Sequence, residues 1–429
     1  MQGNVEVISH IGVSGWAVRE ASSEPAVVEV LANGQLVASG RANAFRADLA
    51  RHGLRSGFAY FEVPLNLPLG PEPIEVSVRT SGSEAPLPGA PVTLPPLTTR
   101  SRAEYQAETR RWLDQRFAAG GVGADGIYVA HQPIYGFRGG HCEPNLFDRY
   151  VITWNLMQAL ADLRFDSLLD VGGAEGYKAA LARHLFGCNV MSCDLSGEAC
   201  RRAEEIYALP TLALDIHKLP FSDESHDVVV ASETIEHVID YAQAVEEMMR
   251  VARKAVVITV PHESFRQVAE TQRRGELHGH IHYFDLNTFN AFTKCGVEAE
   301  SRPMIADNRV YRLLTLLMEG NAELAKPISR RAARWLERAP WLWRAVFNRS
   351  VSARLLEQDR RLVGKTPGSG YKGVLAILLK DPDARRSQPV RTVRMRDVLD
   401  FQVPYHRPDP VVLAAATKAA MPDKAETTG

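Results

Sequence analysis

The 429-residue sequence lacks the features of a secreted, zinc-stapled or membrane-spanning protein. It has only five cysteines, an odd number, and no CxxC pair, so neither a disulfide framework nor a zinc site is expected. It has no run of about 20 apolar residues, so no membrane-spanning helix is expected. The N-terminal stretch has no basic region followed by an apolar core, so we expect no signal peptide. We therefore expect a cytoplasmic protein with reduced thiols.

The chain also lacks an excess of charge of either sign. Lys and Arg number 50 against 51 Asp and Glu, so nucleic acid is not an expected partner. The hydrophobic fraction of 45% is that of an ordinary globular protein and is ample for a core. At this length the chain has room for two or three domains.

Residues 1–98 are predicted to form a small all-β sandwich domain. Short runs rich in Val and Ile alternate with Gly- and Pro-rich joints, and Asn33-Gly34 is a strong hairpin signal because both residues tolerate positive φ. The Pro-rich stretch APLPGAPVTLPPL closes this region and indicates a domain boundary.

Beyond that boundary, residues 145–303 alternate apolar strands with helices. This rhythm is typical of a parallel sheet with helices on both faces, a Rossmann-like α/β fold. The flanking segments are predicted as a helical linker and lid loop at 99–144, a basic helical insertion at 304–365, a strand segment at 366–383, and a poorly ordered tail at 384–429.

The motif with the clearest chemistry is LLDVGGAEGY. A strand ends at Asp170, and Gly172, Gly173 and Gly176 lead into a helix. Glycine lets the backbone turn tightly and approach a ligand closely, and the helix start offers free N–H groups. The motif predicts a site for a nucleotide-like cofactor.

Three later strands also end in residues suited to such a cofactor. Asp194 can accept hydrogen bonds from ribose hydroxyls, and Asp215 with Ile216 can contact adenine. The strand DVVVAS ends at Ser232. Open α/β sheets bind their ligands at the carboxyl ends of strands, so these residues are expected in one site.

Together, DVGGAEG, CDLS, LDIHKLPF, HDVVVASETIEHV and VVITVP resemble the class I S-adenosylmethionine (SAM)-dependent methyltransferases of the UbiE/UbiG-like group. The resemblance implies a seven-stranded sheet closed by an antiparallel hairpin of VEAESRPMI and GVLAILLKD. It also implies SAM as cofactor. The three glycines would wrap the methionine part, Asp170 would anchor their loop, Asp194 would hold the ribose, Asp215 and Ile216 would contact adenine, and Ser232 would lie beside the sulfonium.

A hydroxyl acceptor usually needs a base, and we predict His237, His280 and His282 as catalytic candidates. In these enzymes, the region of the segment LHGHIHYFD often faces the acceptor. His262, or His131 and His141 in the HQPIYGFRGGH loop, are further candidates. The alternative is that these histidines only satisfy local hydrogen bonds.

A metal site is a second hypothesis for the same region. Glu233, Glu236 and His237 form ExxEH, and with His282 they resemble the magnesium site of small-RNA 2′-O-methyltransferases. ExxEH also occurs widely in this group as a structural element, so the prediction without a metal is preferred.

The N-terminal region is similar to a small β-domain attached to bacterial glycosyltransferases and surface-polysaccharide enzymes. Trp16, Arg46, Asp48 and Phe58 carry the likeness. The alternative interpretation is that the two aromatic residues are core and that Arg46 and Asp48 form a structural ion pair. The likeness favours a glycan acceptor.

Residues 326–365 contain eleven Lys or Arg against three Asp or Glu, with Trp335, Trp341 and Trp343 interleaved. This segment could bind an anionic membrane surface, which would place the protein at the inner face of the membrane. The alternative is that it forms a solvated helical cap over the active site.

The resulting functional prediction is O-methylation of a sugar hydroxyl in a glycan, polysaccharide or glycolipid precursor. The alternatives are methylation of an isoprenoid or aromatic metabolite or of an RNA end, and a non-catalytic binding module that keeps the fold.

Overall fold

The structure is a computed structural model, and it describes residues 2–19, 24–65, 67, 71–96, 101–118, 146–275, 277–293, 296–307, 349–363 and 370–401, with single positions at 331, 334 and 338. The chain divides into two compact units. The first comprises residues 1–109, 233–247 and 260–288, and the second comprises 110–232, 248–259 and 289–429.

The first unit contains eight strands arranged in two four-stranded antiparallel sheets. One sheet has the order β1-β2-β6-β5 and the other β4-β3-β7-β8. The strands are β1 (Gln2–Ser9), β2 (Gly12–Val18), β3 (Ala26–Ala32), β4 (Gln35–Ala42), β5 (Ala44–Phe45), β6 (Phe58–Pro64), β7 (Ile74–Thr80) and β8 (Val92–Leu94).

Alternating burial along these strands explains the sandwich. Val13, Phe61, Val28 and Val78 point inward and share one core, while their strand neighbours face outward. The predicted hairpin is present, because Asn33 and Gly34 both adopt positive φ between β3 and β4.

The second unit is built on a seven-stranded sheet of order β11-β10-β9-β12-β13-β15-β14. Strands β11, β10, β9, β12 and β13 pair in parallel, and β14 and β15 form an antiparallel pair at the other edge. The strands are β9 (Ser167–Val171), β10 (Asn189–Asp194), β11 (Thr211–Ala213), β12 (His226–Ser232), β13 (Ala252–Pro261), β14 (Glu298–Asp307) and β15 (Gly370–Leu379). The predicted Rossmann-like methyltransferase fold is confirmed, including its antiparallel hairpin.

Ten helices lie in the described parts of the two units. They are α1 (Ala47–Arg51), α2 (Arg102–Ala118), α3 (Leu146–Ala161), α4 (Tyr177–Phe186), α5 (Gly197–Tyr207), α6 (Tyr241–Val251), α7 (Phe265–Arg274), α8 (Arg349–Leu356), α9 (Asp359–Leu362) and α10 (Met395–Asp400). Short 3-10 helices lie at Arg55–Gly57, Ile235–His237, Thr288–Phe292 and Pro382–Ala384.

Local sequence sets the ends of the helices beside the sheet. Helix α4 lies between Gly176 and Gly187, both at positive φ, which glycine adopts without strain. Ser196 caps α5 by accepting a hydrogen bond from the Ala199 N–H. These two helices therefore begin just after β9 and β10, where the cofactor loop is predicted.

Two features differ from the predicted boundaries. Residues 384–401 do not form a loose tail, because Met395, Val398 and Leu399 are buried in the sheet's main core. The first unit also takes in residues 233–247 and 260–288. Two contacts join these segments to residues 1–109. The Phe265 ring packs against Gly12, where an added Cβ would lie 3.0 Å from the ring. Arg102 donates a 2.7 Å hydrogen bond to the Gln243 side chain.

Several predicted features lie outside the described residues. They are most of the lid loop with His131 and His141, most of the basic insertion with its three tryptophans, and residues 402–429. In the part of the chain that the structure describes, no helix combines the length and apolar character needed to cross a bilayer.

Candidate active site

The glycine loop after β9 is fastened to the end of β10. The N–H groups of Gly172 and Gly173 donate to the Cys193 carbonyl at 2.7 and 2.9 Å. A Cβ on Gly173 would lie 2.3 Å from Ser192 Oγ and 2.8 Å from Asp170 Oδ2, so only glycine fits there. The loop therefore holds its backbone close against two strand ends, as a cofactor cradle requires.

Asp194 links this loop to the start of α5. Its Oδ2 accepts from the Ala174 N–H at 3.0 Å and its Oδ1 from the Ser196 N–H at 2.9 Å. Ala174 adopts positive φ, which is unusual for a residue with a Cβ. Each carboxylate oxygen has a second lone pair, so Asp194 can still accept hydrogen bonds from ligand hydroxyls.

Lys178 on α4 is a buried site residue that sequence reasoning missed. Its ammonium donates to the Ser232 carbonyl at 3.0 Å and to Ser232 Oγ at 2.7 Å. Ser232 Oγ also lies 2.6 Å from Thr259 Oγ1. The structure thus places the Ser232 hydroxyl in a buried polar network, and Lys178 brings a positive charge to the predicted cofactor region.

Asp170 and Asp194 are buried carboxyls with altered acidity. Burial raises the pKa of Asp170 to about 6, although the Lys178 charge opposes this. Burial also raises the pKa of Asp194 to about 6, although backbone hydrogen bonds from Ser196 and Ala174 oppose this. Asp170 Oδ2 has no hydrogen-bond partner among the described residues, so a bound ligand could supply one.

Two predicted adenine contacts lie at the end of the next strand. Ile216 is buried, while the Asp215 carboxylate is held by His217, whose Nδ1 lies 2.6 Å from Asp215 Oδ1. The sequence string LDIHKLPF contains His217, but its role depends on a local turn that the sequence pattern does not reveal. The structure thus sets the carboxylate orientation through a neighbour two residues away.

The C-terminal half of α2, predicted as a linker, also supports the cofactor region. Asp114 Oδ1 accepts from Ser196 Oγ at 2.6 Å and from the Glu198 N–H at 3.2 Å, at the start of α5. Arg202 on α5 donates to the Phe117 carbonyl and lies 3.4 Å from the buried Glu175. Burial raises the pKa of Glu175 to about 8, and the negative charge of Asp194 adds to that effect.

The predicted histidines lie in the first unit, where three side chains form a compact cluster. The possible ligand atoms of Glu236, His237 and His280 all lie within 4.8 Å of one another. His282 lies outside this cluster, because its Nε2–H donates to the Val238 carbonyl at 2.6 Å and its ring packs beside Tyr241. The structure therefore separates His282 from the other two catalytic candidates.

The surroundings of His280 favour the protonated form of its imidazole. Burial lowers its pKa, but a hydrogen bond with Glu263 and the charges of Glu236 and Glu233 outweigh this and raise the pKa to about 9. A raised pKa lowers the fraction of neutral imidazole near pH 7, so these surroundings oppose the predicted role of His280 as a base.

Comparison with known proteins agrees with the fold and with the glycine loop. Residues 169–260 match the family model described as a methyltransferase domain, a range that runs from β9 to β13. The chain carries a class I SAM-dependent methyltransferase domain. It is an enzyme of that class, and SAM is its cofactor. The buried acidic strand ends and the glycine cradle suit this cofactor, which supplies a methyl group on a positively charged sulfur.

Solved structures with a similar fold have low identity to this chain. Geranyl diphosphate C-methyltransferase from Streptomyces coelicolor is 15% identical over 65% of this chain and 98% of its own, with a TM-score of 0.39. The YcgJ protein from Bacillus subtilis is 17% identical over 53% and 97%, with a TM-score of 0.35. No curated protein matches the chain. These likenesses carry no information about the acceptor.

The acidity of Asp194 predicts a pH dependence of cofactor binding. Ribose hydroxyls donate to an ionised carboxylate, and with a pKa of about 6 only about a tenth of Asp194 is ionised at pH 5. We expect calorimetry to give SAM affinity about tenfold weaker at pH 5 than at pH 7, with circular dichroism confirming that the protein is folded at both. An Asp194→Asn variant should show little pH dependence. An affinity for the wild type that is constant across this range would contradict the assignment.

Proposed function

We propose that this methyltransferase transfers the methyl group to a sugar hydroxyl of a glycan or glycolipid precursor. The observation that carries the proposal is the outer face of the β1-β2-β6-β5 sheet. Phe45 and Phe58 are 58% and 50% exposed, with ring centroids 5.2 Å apart. Phe58 is not a core residue, contrary to one of the two sequence interpretations.

Further aromatic and charged groups share this face. Trp16 lies opposite Tyr60 in the strand register, and both are half-buried. The Arg46 guanidinium lies 5.1 Å from the Tyr60 ring centroid and is held by Glu6 and Asp48. Sugars stack their C–H faces on aromatic rings and donate their hydroxyls to fixed charged groups. An exposed aromatic surface of this kind is typical of a ligand-binding site.

A sugar acceptor also agrees with the rest of the chain. A glycolipid precursor would bring an anionic membrane surface, for which the basic segment 326–365 is suited. Attachment at the inner face of the membrane is part of this proposal.

The test is methyl transfer from labelled SAM to a panel of acceptors: oligosaccharides and glycolipids, small isoprenoid and aromatic alcohols, and RNA oligonucleotides. We expect labelled O-methyl sugar after hydrolysis of the glycan products. In the full-length protein, Phe45→Ser with Phe58→Ser should raise the KM for the glycan about 5- to 30-fold, since about 1–2 kcal/mol of stacking is lost.

The affinity for SAM should not change in that variant. Leu36→Ser is the matched control, because Leu36 is 59% exposed on the other sheet. Transfer only to an isoprenoid, an aromatic alcohol or RNA would replace the glycan with that acceptor. Absence of transfer to the oligosaccharides and glycolipids, with SAM still bound, would overturn the glycan proposal.

A further inference from the structure

The cluster of Glu236, His237 and His280 has the chemistry of a metal site. Glu236 and His237 end the short 3-10 helix Ile235–His237, and His280 follows α7 in the segment that precedes Ile281. Their possible ligand atoms lie within 4.8 Å of one another. Donor atoms bound to one ion at about 2.0–2.2 Å lie roughly 3–4 Å apart, so small side-chain rotations would close the site.

The backbone orients the first imidazole toward the cluster. His237 Nδ1 lies 3.1 Å from the Gly279 carbonyl oxygen, and a carbonyl only accepts, so Nδ1 carries the proton. The other ring nitrogen, Nε2, then presents its lone pair, and it lies 3.7 Å from Glu236 Oε1. In metal sites, the histidine nitrogen that does not bind the ion commonly donates a hydrogen bond to a backbone carbonyl.

A carboxylate orients the second imidazole in a similar way. His280 Nδ1 lies 3.1 Å from Glu263 Oε1, which leaves Nε2 as the nitrogen able to bind an ion. A carboxylate that accepts from the remote nitrogen of a metal-bound histidine fixes the ring orientation and makes the ligand more basic. The two histidines therefore carry two different supports of the type that metal sites use.

Hydrogen bonds hold the two segments together beside the cluster. The Ile281 N–H donates to the Glu236 carbonyl at 2.9 Å, and Gln272 Nε2 donates to the Ile281 carbonyl at 2.7 Å. The Glu236 residue is 1% exposed. A carboxylate in such a buried position is typically paired or bound to a metal. The site is therefore held in place by elements other than the ligands themselves.

We propose that Glu236, His237 and His280 bind a divalent first-row transition ion, with Glu263 as a positioning residue for His280. Two imidazoles and one carboxylate suit Zn²⁺, Co²⁺ or Mn²⁺, whereas Mg²⁺ and Ca²⁺ prefer all-oxygen ligands. Three protein ligands leave positions open for oxygen ligands such as water or a hydroxyl group. The ligand set differs from the one predicted from sequence, which contained Glu233 and His282 in place of His280.

The test measures metal binding directly, so its outcome does not depend on the identity of the acceptor. Full-length protein is stripped with chelator and titrated with Co²⁺, followed by visible absorption, and with Zn²⁺ by competition. We expect one equivalent to bind, with an absorption band that reports nitrogen and oxygen ligands. His280→Ala and Glu236→Gln should each weaken binding at least about 100-fold, and Glu263→Gln about 10- to 100-fold.

His262→Asn is the matched control, since His262 lies in the same unit and its Nδ1–H donates to the Phe284 carbonyl. Its Co²⁺ affinity should equal that of the wild type. Thermal unfolding of each metal-free variant shows whether it is folded, and His280, which is partly exposed, is the substitution that disturbs packing least. Failure of the wild type to bind one equivalent, or equal affinity in the folded His280 and Glu236 variants, would overturn the proposal.

Discussion

Replacement of Lys178 by Met is expected to lower the free energy of unfolding by about 3–5 kcal/mol, the usual result of removing one partner from a buried charged network. Lys178 is buried and donates to both the carbonyl and the hydroxyl of Ser232. Its charge also acts on the buried carboxyl of Asp170. Met fills a similar volume but leaves these oxygens without the donor and Asp170 without the cation.

Urea unfolding at pH 7.5, followed by circular dichroism, measures this loss. Lys218→Met is the control, because Lys218 is an exposed lysine in the same unit, and its substitution should change the free energy by less than about 0.5 kcal/mol. Equal stability of the Lys178 variant and the control would show that the Lys178 network contributes little.

The same variant should show a smaller loss at pH 5. The pKa of Asp170, about 6 in the folded protein, lies above its ordinary value of 3.8, so the folded state binds more protons between these values. The stability associated with this group therefore falls as pH rises from about 4 to 6 and above. Without the Lys178 charge, the free energy of unfolding falls further at high pH, where Asp170 is ionised. At pH 5 the Asp170 carboxyl is largely neutral, so loss of the Lys178 charge affects it less.

Replacement of Asp194 by Ala is expected to weaken SAM binding by about 1.5–3 kcal/mol, or roughly 10- to 150-fold, the scale of hydrogen bonds to a charged group. The carboxylate lies at the end of β10 and is held by N–H groups of the glycine loop and of α5. Calorimetry with SAM measures the loss, and an unchanged affinity would remove Asp194 as the ribose partner.

Asp194 also anchors the loop, so a second ligand separates the two roles. If the ribose hydroxyls are the partners of Asp194, a SAM analogue without them should bind the wild type weakly. Its affinity should then fall little further in the Asp194→Ala variant. An equal loss for both ligands would assign the effect to the loop. Asp114→Ala, which removes hydrogen bonds at the start of α5 but keeps the Asp194 carboxylate, is the control for loop support.

Features with a local physical cause were predictable from the sequence. The alternation of apolar strands with helices predicted the parallel sheet. The resemblance to class I methyltransferases implied that VEAESRPMI and GVLAILLKD pair as an antiparallel hairpin, and the structure contains that pair. Glycine positions follow from backbone sterics, which is why a cofactor loop at Gly172, Gly173 and Gly176 could be predicted before any contact was known. The acidic strand ends belong to the same category, since parallel strands end at one edge.

The residues that were missed depend on contacts between distant segments. Nothing in the sequence around Lys178 marks it as buried, and its hydrogen-bond acceptor, Ser232, lies 54 positions later. Asp114 read as part of a linker, yet it supports the start of α5 across 82 positions. His280 could not be separated from His282 by spacing, because both lie in the segment LHGHIHYFD. Only the structure brings His280 beside Glu236 and His237.

The sequence by itself determined the fold class and indicated a nucleotide-like cofactor, because periodicity and glycine conformation are local properties of the chain. The resemblance to class I methyltransferases then implied that this cofactor is SAM. Only the tertiary structure decided which charges share one environment. Burial of Asp170 and Asp194 raises their pKa values, and the approach of Glu263 to His280 orients that imidazole. Dielectric environment and hydrogen-bond partners are properties of the packed molecule, and they assign different chemistry to identical residue types.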